Sequence, residues 1–452
     1  MPVTRNDNYS IILHVHEPRV LLLREECGWT LPRHQAIDAA EISAAMLEQL
    51  RVKTTVLYCA YDRYKDDERE DQHLVYALEN HSPDWTAAER QEWVNLVELQ
   101  DLLLIVPEHI SVIETVLASL EQGGVHEHRL PWTRLGWFAT AGQWIQQQLD
   151  MLGYVATDSI RQVSVSIWST VLCIPTTTGN LYFKASAPTF AYEPLLTQTL
   201  AMLVSAHLPP VLVVDNERHW MLMRDAGITL AAMHKNAPDP ARWEEALSLF
   251  AQMQIELVTH VDALAKTGCP DMRLHMLPIL FEEALAAKDM LHIGQEDGMP
   301  EAEYAQLLAF PPELKTMCAK LAEYNVPESL HHDDFHGNNI MYNGKTYIFF
   351  DWAECALAHP FCSMMIVQRV ARYVLEYDDT TLDRFRDAYL APWTRYEPIE
   401  RLREAFTLAV RLGKLCRALT WQRLIAQVEP SAKWEYEGSF PYFLRVFLGT
   451  EE

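Results

Sequence analysis

Short apolar runs separated by polar turns fill the first part of the chain. Alternation predicts a strand from Tyr9 to His14, and an apolar run predicts a second strand over Val20 to Leu23. Apolar residues at helical spacing then predict a helix over Ala39 to Leu50. The remaining predicted elements are strands over Thr54 to Ala60 and His73 to Leu78, around a charged loop Asp62 to Asp71, and a helix over Pro107 to Leu120. Residues 1–122 are therefore expected to form a small α/β domain.

The pattern changes after Gly123 and Gly124, which interrupt the helical spacing. The aromatic-rich residues 123–160 are predicted to be a packed connector, and residues 161–225 to form a strand-rich lobe. Its strands are expected at Val163 to Ile167, Thr170 to Ile174 and Leu181 to Lys184, with a hairpin joining Val211–Val214 to Trp220–Met223. Residues 226–452 are predicted to be helical, with apolar spacing over Trp243–Val258, Met276–Ala287, Leu314–Tyr324 and Leu402–Leu424. The expected fold class is α+β.

Composition narrows the class of protein. The chain has 452 residues, 49% of them hydrophobic, which predicts two or three folded domains at about 150 residues each. A formal charge of -25 argues against nucleic-acid binding and slightly favours cationic ligands. The eight cysteines lack metal-like spacing, which favours reduced, mostly buried thiols. No apolar run approaches the ~20 residues of a membrane span, and the N-terminus does not resemble a signal peptide, so a cytoplasmic protein without membrane contact is expected.

A dense polar segment lies between His331 and Asn339, just before a predicted hairpin. Asn343-Gly344 is a strong signal for a two-residue turn, which would place Asn339 opposite Ile348. Asp351 would then lie three positions beyond the partner of Asn339, close enough for the two side chains to share a divalent cation. Carboxylate and amide oxygens are ligands that suit Mg²⁺.

Asp334 stands five residues before Asn339. This spacing occurs where one acidic group orients a substrate hydroxyl and accepts its proton, while the asparagine holds metal on a phosphate chain. A lone His-x-Asp sequence would more often be a satisfied polar loop at a helix cap. Several such residues in order favour a kinase catalytic loop instead.

These residues carry a resemblance to a known family. The segment His332-Asp333-Asp334-Phe335-His336-Gly337-Asn338-Asn339-Ile340 resembles the H-G-D-L-H-P-G-N-I loop of aminoglycoside phosphotransferases and choline kinase-like proteins, and Phe350-Asp351-Trp352 resembles their I-D-W motif. The resemblance, over roughly residues 130 to 450, implies a two-lobed protein-kinase-like fold and transfer of phosphate from ATP to a small-molecule hydroxyl. It further implies that Asp334 is the catalytic base, that His332 supports the loop, and that Asn339 and Asp351 bind Mg²⁺.

The same resemblance implies nucleotide-binding residues upstream. Lys184 at a strand end would pair with Glu193 at the next helix and position the phosphates, and backbone groups around Met223 would meet the adenine. The loop Ser166 to Thr170 lacks glycine, so Ser169 is the expected phosphate contact there. Two further departures are Gly337-Asn338, where the family has proline and glycine, and Cys362-Ser363, where an aspartate is common.

The N-terminal domain resembles a Nudix fold. Trp29-Thr30-Leu31-Pro32 followed by a helix is similar to the entry of the Nudix box. The box itself is degenerate, because Arg33-His34 replace its glycines and Glu48 is the one carboxylate near the expected metal-binding positions. We therefore expect no hydrolase activity from this domain.

Other functions remain open from the sequence. His332-x-Asp334 also begins the facial triad of non-haem iron oxygenases, although the helical pattern after Asp351 argues against that fold. A nucleotide-binding pseudokinase with a regulatory or scaffolding role is the alternative to an active kinase. The acceptor could be an aminoglycoside, a choline-like amine, a sugar or a nucleoside, and oligomeric state is not predicted.

Overall fold

The computed structural model describes residues 8–65, 71–121, 127–295, 298–433 and 436–451. The chain divides into two compact units, Met1–Ala187 and Pro188–Glu452. This boundary falls inside the predicted strand-rich lobe 161–225, so the domain limits proposed from the sequence stay predictions. The break at Gly123-Gly124 and the centre of the charged loop, 66–70, lie outside the described residues.

The first unit contains a mixed sheet, a meander and several helices. Its strands are β1 Asn8–Leu13, β2 Val20–Glu25, β3 Gly28–Thr30, β4 Arg33–His34, β5 Thr54–Lys65, β6 Asp71–Asn80, β7 Gln91–Val94, β8 Arg161–Val165, β9 Ser169–Thr176 and β10 Gly179–Ser186. Its helices are α1 Ala39–Leu50, α2 Leu96–Leu99, α3 His109–Glu121 and α4 Trp137–Leu152. The mixed sheet has the order β3-β2-β1-β6-β5, with β1 and β6 parallel, while β8, β9 and β10 form an antiparallel meander.

Alternation along the sheet explains why helices cover both of its faces. Ile11 and Leu22 belong to one apolar cluster with the α3 residue Ile113, whereas Ile12 belongs to a second cluster with the α1 residue Ile42. Because successive strand residues point to opposite faces, α1 and α3 pack on opposite sides of the sheet. The predicted strands and helices of this unit are confirmed, and α1 has the predicted bounds.

The second unit begins with a helix and short strands and continues as mostly helix. Its strands are β11 Val211–Asp215, β12 Trp220–Arg224, β13 Ile228–Thr229, β14 Ser329–His332, β15 Ile340–Tyr342, β16 Tyr347–Phe349 and β17 Cys355–Ala358. Its helices are α5 Glu193–Leu203, α6 Leu230–Asn236, α7 Pro240–Leu257, α8 Val261–Ala265, α9 Leu277–Ala286, α10 Glu301–Ala309, α11 Pro311–Ala322, α12 Met364–Arg369, α13 Asp379–Leu390, α14 Ile399–Ala426, α15 Pro430–Lys433 and α16 Ser439–Leu448. A strand-rich lobe followed by a helical lobe confirms the predicted α+β class. Among the described residues, no helix is both long and apolar enough to cross a membrane.

Two small antiparallel sheets present the polar segment. β14 pairs with β17, with His332 opposite Cys355, and β15 pairs with both β13 and β16. The polar segment therefore leaves a buried strand, crosses to the β15–β16 hairpin and returns to β17. This path brings the start of the polar segment next to the residues that follow the hairpin.

The predicted register of that hairpin is wrong. Tyr342 pairs with Tyr347, so the turn has four residues instead of two. The Asn343 side-chain oxygen accepts hydrogen bonds from the N–H groups of Lys345 (2.9 Å) and Thr346 (3.0 Å), which stabilises the longer turn. Asn339 consequently lies opposite Phe350, whose N–H donates to its carbonyl at 3.2 Å. Asp351 is one position beyond that partner, closer than the predicted three.

Helix α14 crosses the segment after β17 at a glycine. A Cβ on Gly413 would come within 2.7 Å of the Cys362 carbonyl oxygen and 3.1 Å of the Met365 Cβ. The neighbouring atom is backbone, so it has little freedom to move aside. Gly413 therefore permits the close approach of α14 to the turn Pro360–Ser363.

We predict that Gly413→Ala destabilises the protein by about 1–3 kcal/mol, because overpacking outweighs the ~1 kcal/mol gain in helix propensity. Gly142→Ala in α4 is the matched control, since its Cβ would meet an ordinary contact at 3.8 Å. That substitution should be neutral or stabilising. Chemical denaturation of both variants checks the difference, and an equal gain in the two would contradict the close approach.

Candidate active site

His332 ends β14 and joins two parts of the polar segment. Its Nε2–H donates to the Phe350 carbonyl at 3.1 Å, and its Nδ1 accepts from the Asp334 N–H at 3.2 Å. The ring is fully buried and packs against Trp352, with ring centroids 4.9 Å apart. His332 therefore joins the loop to the end of the hairpin through two hydrogen bonds.

The environment of His332 also determines its charge. Burial lowers the pKa of His332 to about 4, so the ring is neutral at pH 7. Both ring nitrogens are engaged in hydrogen bonds to the backbone. A metal ligand would need one of those nitrogens, so the iron-oxygenase interpretation of His332 and Asp334 is wrong.

Asp334 lies at the centre of the loop and is contacted from three directions. His336 Nε2–H donates to its Oδ2 at 3.1 Å, and the Asn339 Nδ2 donates to the same oxygen at 3.1 Å and to its main-chain carbonyl at 2.9 Å. The Arg417 Nη2 lies 3.6 Å from Oδ1. The side chain is still 28% exposed, so it is both held in place and accessible to a small molecule.

These contacts keep Asp334 ionised. Burial alone would raise the pKa of Asp334, but the hydrogen bond from His336 and the charge of Arg417 hold it well below its usual range. Burial would likewise lower the pKa of His336, yet the hydrogen bond to Asp334 raises it above its usual value. At neutral pH Asp334 is a fixed carboxylate acceptor.

Two further oxygen-bearing residues follow Asp334 along the chain, Asn339 in contact with it and Asp351 after the hairpin. The Asn339 Nδ2 is committed to Asp334, which leaves the Asn339 Oδ1 as the acceptor end of the amide. Asp351 follows directly after the partner of Asn339 and has a left-handed backbone, with φ 61° and ψ 64°. Such a conformation in a residue other than glycine marks a constrained position, and aspartate tolerates it better than most.

The donor set fits a hard cation. Within the described ranges, no three His, Cys, Asp or Glu side chains converge as a metal-binding group. A metal at this place would therefore take the amide oxygen of Asn339 together with the Asp351 carboxylate and ligands from outside the protein. Mg²⁺ is commonly bound in this way, through one or two carboxylates and phosphate oxygens.

Arg417 was missed by the sequence reading. It lies on α14 between the buried residues Cys416 and Ala418, and its side chain is only 9% exposed. Its Nη1 donates to the Asp333 carbonyl at 3.0 Å and to the Glu354 carboxylate. The signal that could have found it is a charged residue at an apolar position of a predicted helix, because a buried arginine needs carboxylate or carbonyl partners.

A second network of buried hydrogen bonds supports the loop. The Ser363 Oγ accepts from the His332 N–H at 3.0 Å and donates to the His331 Nδ1 at 3.0 Å. The His331 Nε2–H then donates to the Asp333 Oδ1 at 3.1 Å. Ser363 lies in the Cys362-Ser363 pair where the resembled family commonly has an aspartate. Its hydroxyl supplies the acceptor that the His332 amide requires.

The expected nucleotide-binding residues are distributed between the two units. Lys184, 6% exposed on β10, and Ser169, the first residue of β9, belong to the first unit. Glu193, fully buried at the start of α5, and Met223 on β12 belong to the second. The Lys184–Glu193 pair, the adenine contact at Met223 and the phosphate contact at Ser169 stay predictions.

We predict that His332→Phe lowers the free energy of unfolding by about 1–3 kcal/mol at pH 7, because the Asp334 N–H and the Phe350 carbonyl lose their partner. The deficit should shrink on acidification. Between pH 6.5 and about 4, the unfolded wild type takes up a proton that folded His332 does not, so wild-type stability falls while that of the variant does not fall from this cause.

Denaturation at pH 7 and pH 4.5 measures this effect. Replacing the exposed His275 by Gln is the control and should change stability by less than about 0.5 kcal/mol at pH 7. A deficit for His332→Phe that stays constant from pH 7 to 4.5 would contradict a neutral, buried His332.

Known structures resemble much of the chain at low identity. A choline/ethanolamine kinase family protein from Mesorhizobium loti is 14% identical, over 68% of this chain and 94% of that one, with a TM-score of 0.45. The ethanolamine kinase of Plasmodium vivax is 11% identical, over 77% and 95%, with a TM-score of 0.47. The choline kinase LicA of Streptococcus pneumoniae is 13% identical, over 69% and 99%, with a TM-score of 0.45. No curated protein matches the chain.

The family match is confined to one part of the sequence. It contains the Asp334 loop and the hairpin that ends at Asp351, whereas Ser169, Lys184 and Arg417 lie outside it. Residues 199–399 match the family model described as the phosphotransferase enzyme family.

Proposed function

We propose that this protein is an ATP-dependent kinase of small molecules that uses Mg²⁺ and transfers the γ-phosphoryl group to a hydroxyl. The observation that carries the proposal is the fixed and partly exposed Asp334, whose carboxylate and main-chain carbonyl each accept a hydrogen bond from the Asn339 amide. Asp351 lies directly after the hairpin partner of Asn339. In this proposal a hydroxyl-orienting carboxylate is followed along the chain by two oxygen ligands for the metal.

Asp334 would act mainly by orientation. Its Oδ2 already accepts two hydrogen bonds, while Oδ1 is opposite Arg417 at 3.6 Å, so the carboxylate cannot rotate freely. A depressed pKa makes it a weak base. Phosphoryl transfer proceeds mostly through a loose transition state, in which positioning and charge stabilisation contribute more than early proton removal. A weak but well-held base is suited to that reaction.

The remaining assignments extend the proposal to the nucleotide. Asn339 and Asp351 would hold Mg²⁺, which when bound neutralises charge on the phosphates. Lys184, held by Glu193, would position the phosphates together with Ser169, and the backbone near Met223 would contact the adenine. We also propose that the whole chain is a member of the aminoglycoside phosphotransferase and choline kinase-like family, and that the protein is cytoplasmic.

For residues 1–122 we propose a Nudix-like domain without hydrolase activity. Two observations support the absence of a working metal-binding box. His34 is buried and hydrogen-bonded to the Ser10 hydroxyl at 3.0 Å and to the Ala36 carbonyl at 3.0 Å, which makes it part of the packing. Glu48 lies on the exposed side of α1.

We predict that the purified protein consumes ATP with one class of hydroxyl acceptor, and that Asp334→Ala lowers kcat by about 10²–10⁴-fold while nucleotide affinity stays near wild type. A coupled assay with aminoglycosides, amino alcohols, sugars and nucleosides, run with ATP and with GTP, measures this. Asp379→Ala is the matched control, because that aspartate is 82% exposed on α13.

Two outcomes would count against the proposal. Turnover that survives in Asp334→Ala would remove Asp334 from the chemistry. Tight nucleotide binding without turnover on any acceptor would favour the alternative, a nucleotide-binding regulatory or scaffolding protein.

We further predict that Asn339→Ala and Asp351→Asn each raise the Mg²⁺ concentration for half-maximal activity by at least about tenfold, since even residues behind a metal ligand cost that much when replaced. Asn338→Ala is the matched control, because Asn338 is exposed and its one described hydrogen bond uses its backbone N–H. Mn²⁺ binding to the ATP complex gives a second measurement. An unchanged Mg²⁺ requirement in Asp351→Asn would exclude that residue as a ligand.

A further inference from the structure

Arg417 makes one side chain common to both ends of the polar segment. One nitrogen, Nη1, donates to the Asp333 carbonyl and to the Glu354 carboxylate, while Nη2 lies 3.6 Å from the Asp334 Oδ1. Asp333 and Asp334 follow β14, whereas Glu354 ends the short turn Trp352–Glu354 that begins just after Asp351. A single planar guanidinium therefore connects the segment bearing the proposed base to the turn bearing the proposed metal ligand.

Other contacts show that this connection is part of a larger support. The Asp333 N–H donates to the Glu354 carbonyl at 3.1 Å, which joins the same two segments through their backbones. Six residues further along α14, the Arg423 Nη2 donates to the Tyr192 hydroxyl at 3.3 Å, and that hydroxyl donates to the Ala353 carbonyl. Helix α14 thus contacts the turn after Asp351 directly at Glu354 and, through the Tyr192 hydroxyl, at Ala353.

The charges around Arg417 favour a role beyond neutralisation. One guanidinium contacts or faces the carboxylates of Asp333, Asp334 and Glu354. Burial raises the pKa of Glu354 to about 7, although Arg417 opposes the shift. A polar cluster of this kind is weak evidence for stability, because apolar replacement of a whole buried ion pair is often neutral or stabilising. What the cluster does fix is the position of the polar segment relative to the turn Trp352–Glu354.

The contacts suit an arginine better than a lysine. Nη1 donates to both segments, and Nη2 in addition faces the Asp334 Oδ1. The guanidinium carbon lies 5.3 Å from the centre of the Trp421 ring and 5.8 Å from that of Phe443. A lysine would offer a single ammonium without the second nitrogen that faces Asp334, and it would not stack in the same way.

We propose that Arg417, acting through Glu354, is a positioning residue that aligns the Asp334 carboxylate with the turn that follows Asp351. The inference rests on the proposed function and adds a residue outside the matched segment 199–399. It also assigns a role to α14 that the motif residues do not reveal. Arg417 would act through the Asp334 and Glu354 carboxylates that it faces.

The test separates stability from alignment. Arg417→Met alone leaves Glu354 and Asp333 without their cation and should destabilise the protein strongly. The double variant Arg417→Met/Glu354→Gln removes both charges of the closest pair and should recover part of that stability, although Asp333 still lacks its cation. Arg417→Lys is the third variant, which retains the charge if the double variant fails to fold.

In the double variant we expect kcat to fall by about 10²-fold, with the KM for MgATP within about threefold of wild type, because a misplacement of roughly 1 Å has that effect on rate. Arg417→Lys should lose about tenfold in kcat. Hydrogen exchange supplies a readout that does not depend on activity. Amides of residues 331–339 should exchange about tenfold faster in the double variant, while those at the start of α14 stay unchanged.

Recovery of both stability and wild-type kcat in the double variant would overturn the proposal, since Arg417 would then only balance charge. Unchanged exchange over residues 331–339 in the double variant or in Arg417→Lys would overturn it as well. If the wild type turns over no acceptor, the proposed function fails, and the exchange measurement still decides whether Arg417 aligns the loop.

Discussion

The hydrogen bonds from the Asn339 amide to Asp334 are the interaction on which the rest of the site depends. They close the loop on itself, because one NH₂ group binds both the main-chain carbonyl and the carboxylate of a residue five positions earlier. That closure fixes the direction of the carboxylate and leaves the amide oxygen as an acceptor on the other side. The two proposed roles, orientation of a hydroxyl and coordination of a metal, are therefore consequences of one local geometry.

The groups around the loop keep the Asp334 carboxylate ionised and restrict its movement. His332 is neutral and joins the loop to the hairpin. His336 donates a hydrogen bond to Asp334, and the positive charge of Arg417 lies close to the same carboxylate. In a protein with a formal charge of -25, a buried arginine facing three carboxylates is a costly arrangement by itself.

The sequence predicts the elements well where local patterns determine them. Helix α1 has its predicted bounds because its apolar spacing is regular and the next strand starts four residues later. The β15–β16 register was wrong because the side chain of Asn343 competes with the two-residue turn, which periodicity does not reveal. Motif spacing proposes Asp334, Asn339 and Asp351 as site residues, since these residues lie close together along the chain, and their roles stay predictions.

Arg417 could not be located in that way. It lies 84 residues after Asp333, and its role arises from tertiary packing of α14 against the loop. The predicted links from Lys184 to Glu193 and from residues 1–122 to a Nudix fold rest on resemblance and depend on contacts beyond a single motif. Candidate residues within one motif can thus be proposed from the sequence, whereas the network around Arg417 depends on tertiary packing.

The most direct test of phosphoryl transfer is ³¹P NMR of the protein with MgATP and a mixed panel of alcohols. We predict that the γ-phosphate resonance is replaced by that of a phosphomonoester on one alcohol, with ADP formed in equal amount. Persistence of the ATP resonances alongside saturable nucleotide binding, or release of inorganic phosphate alone, would contradict it.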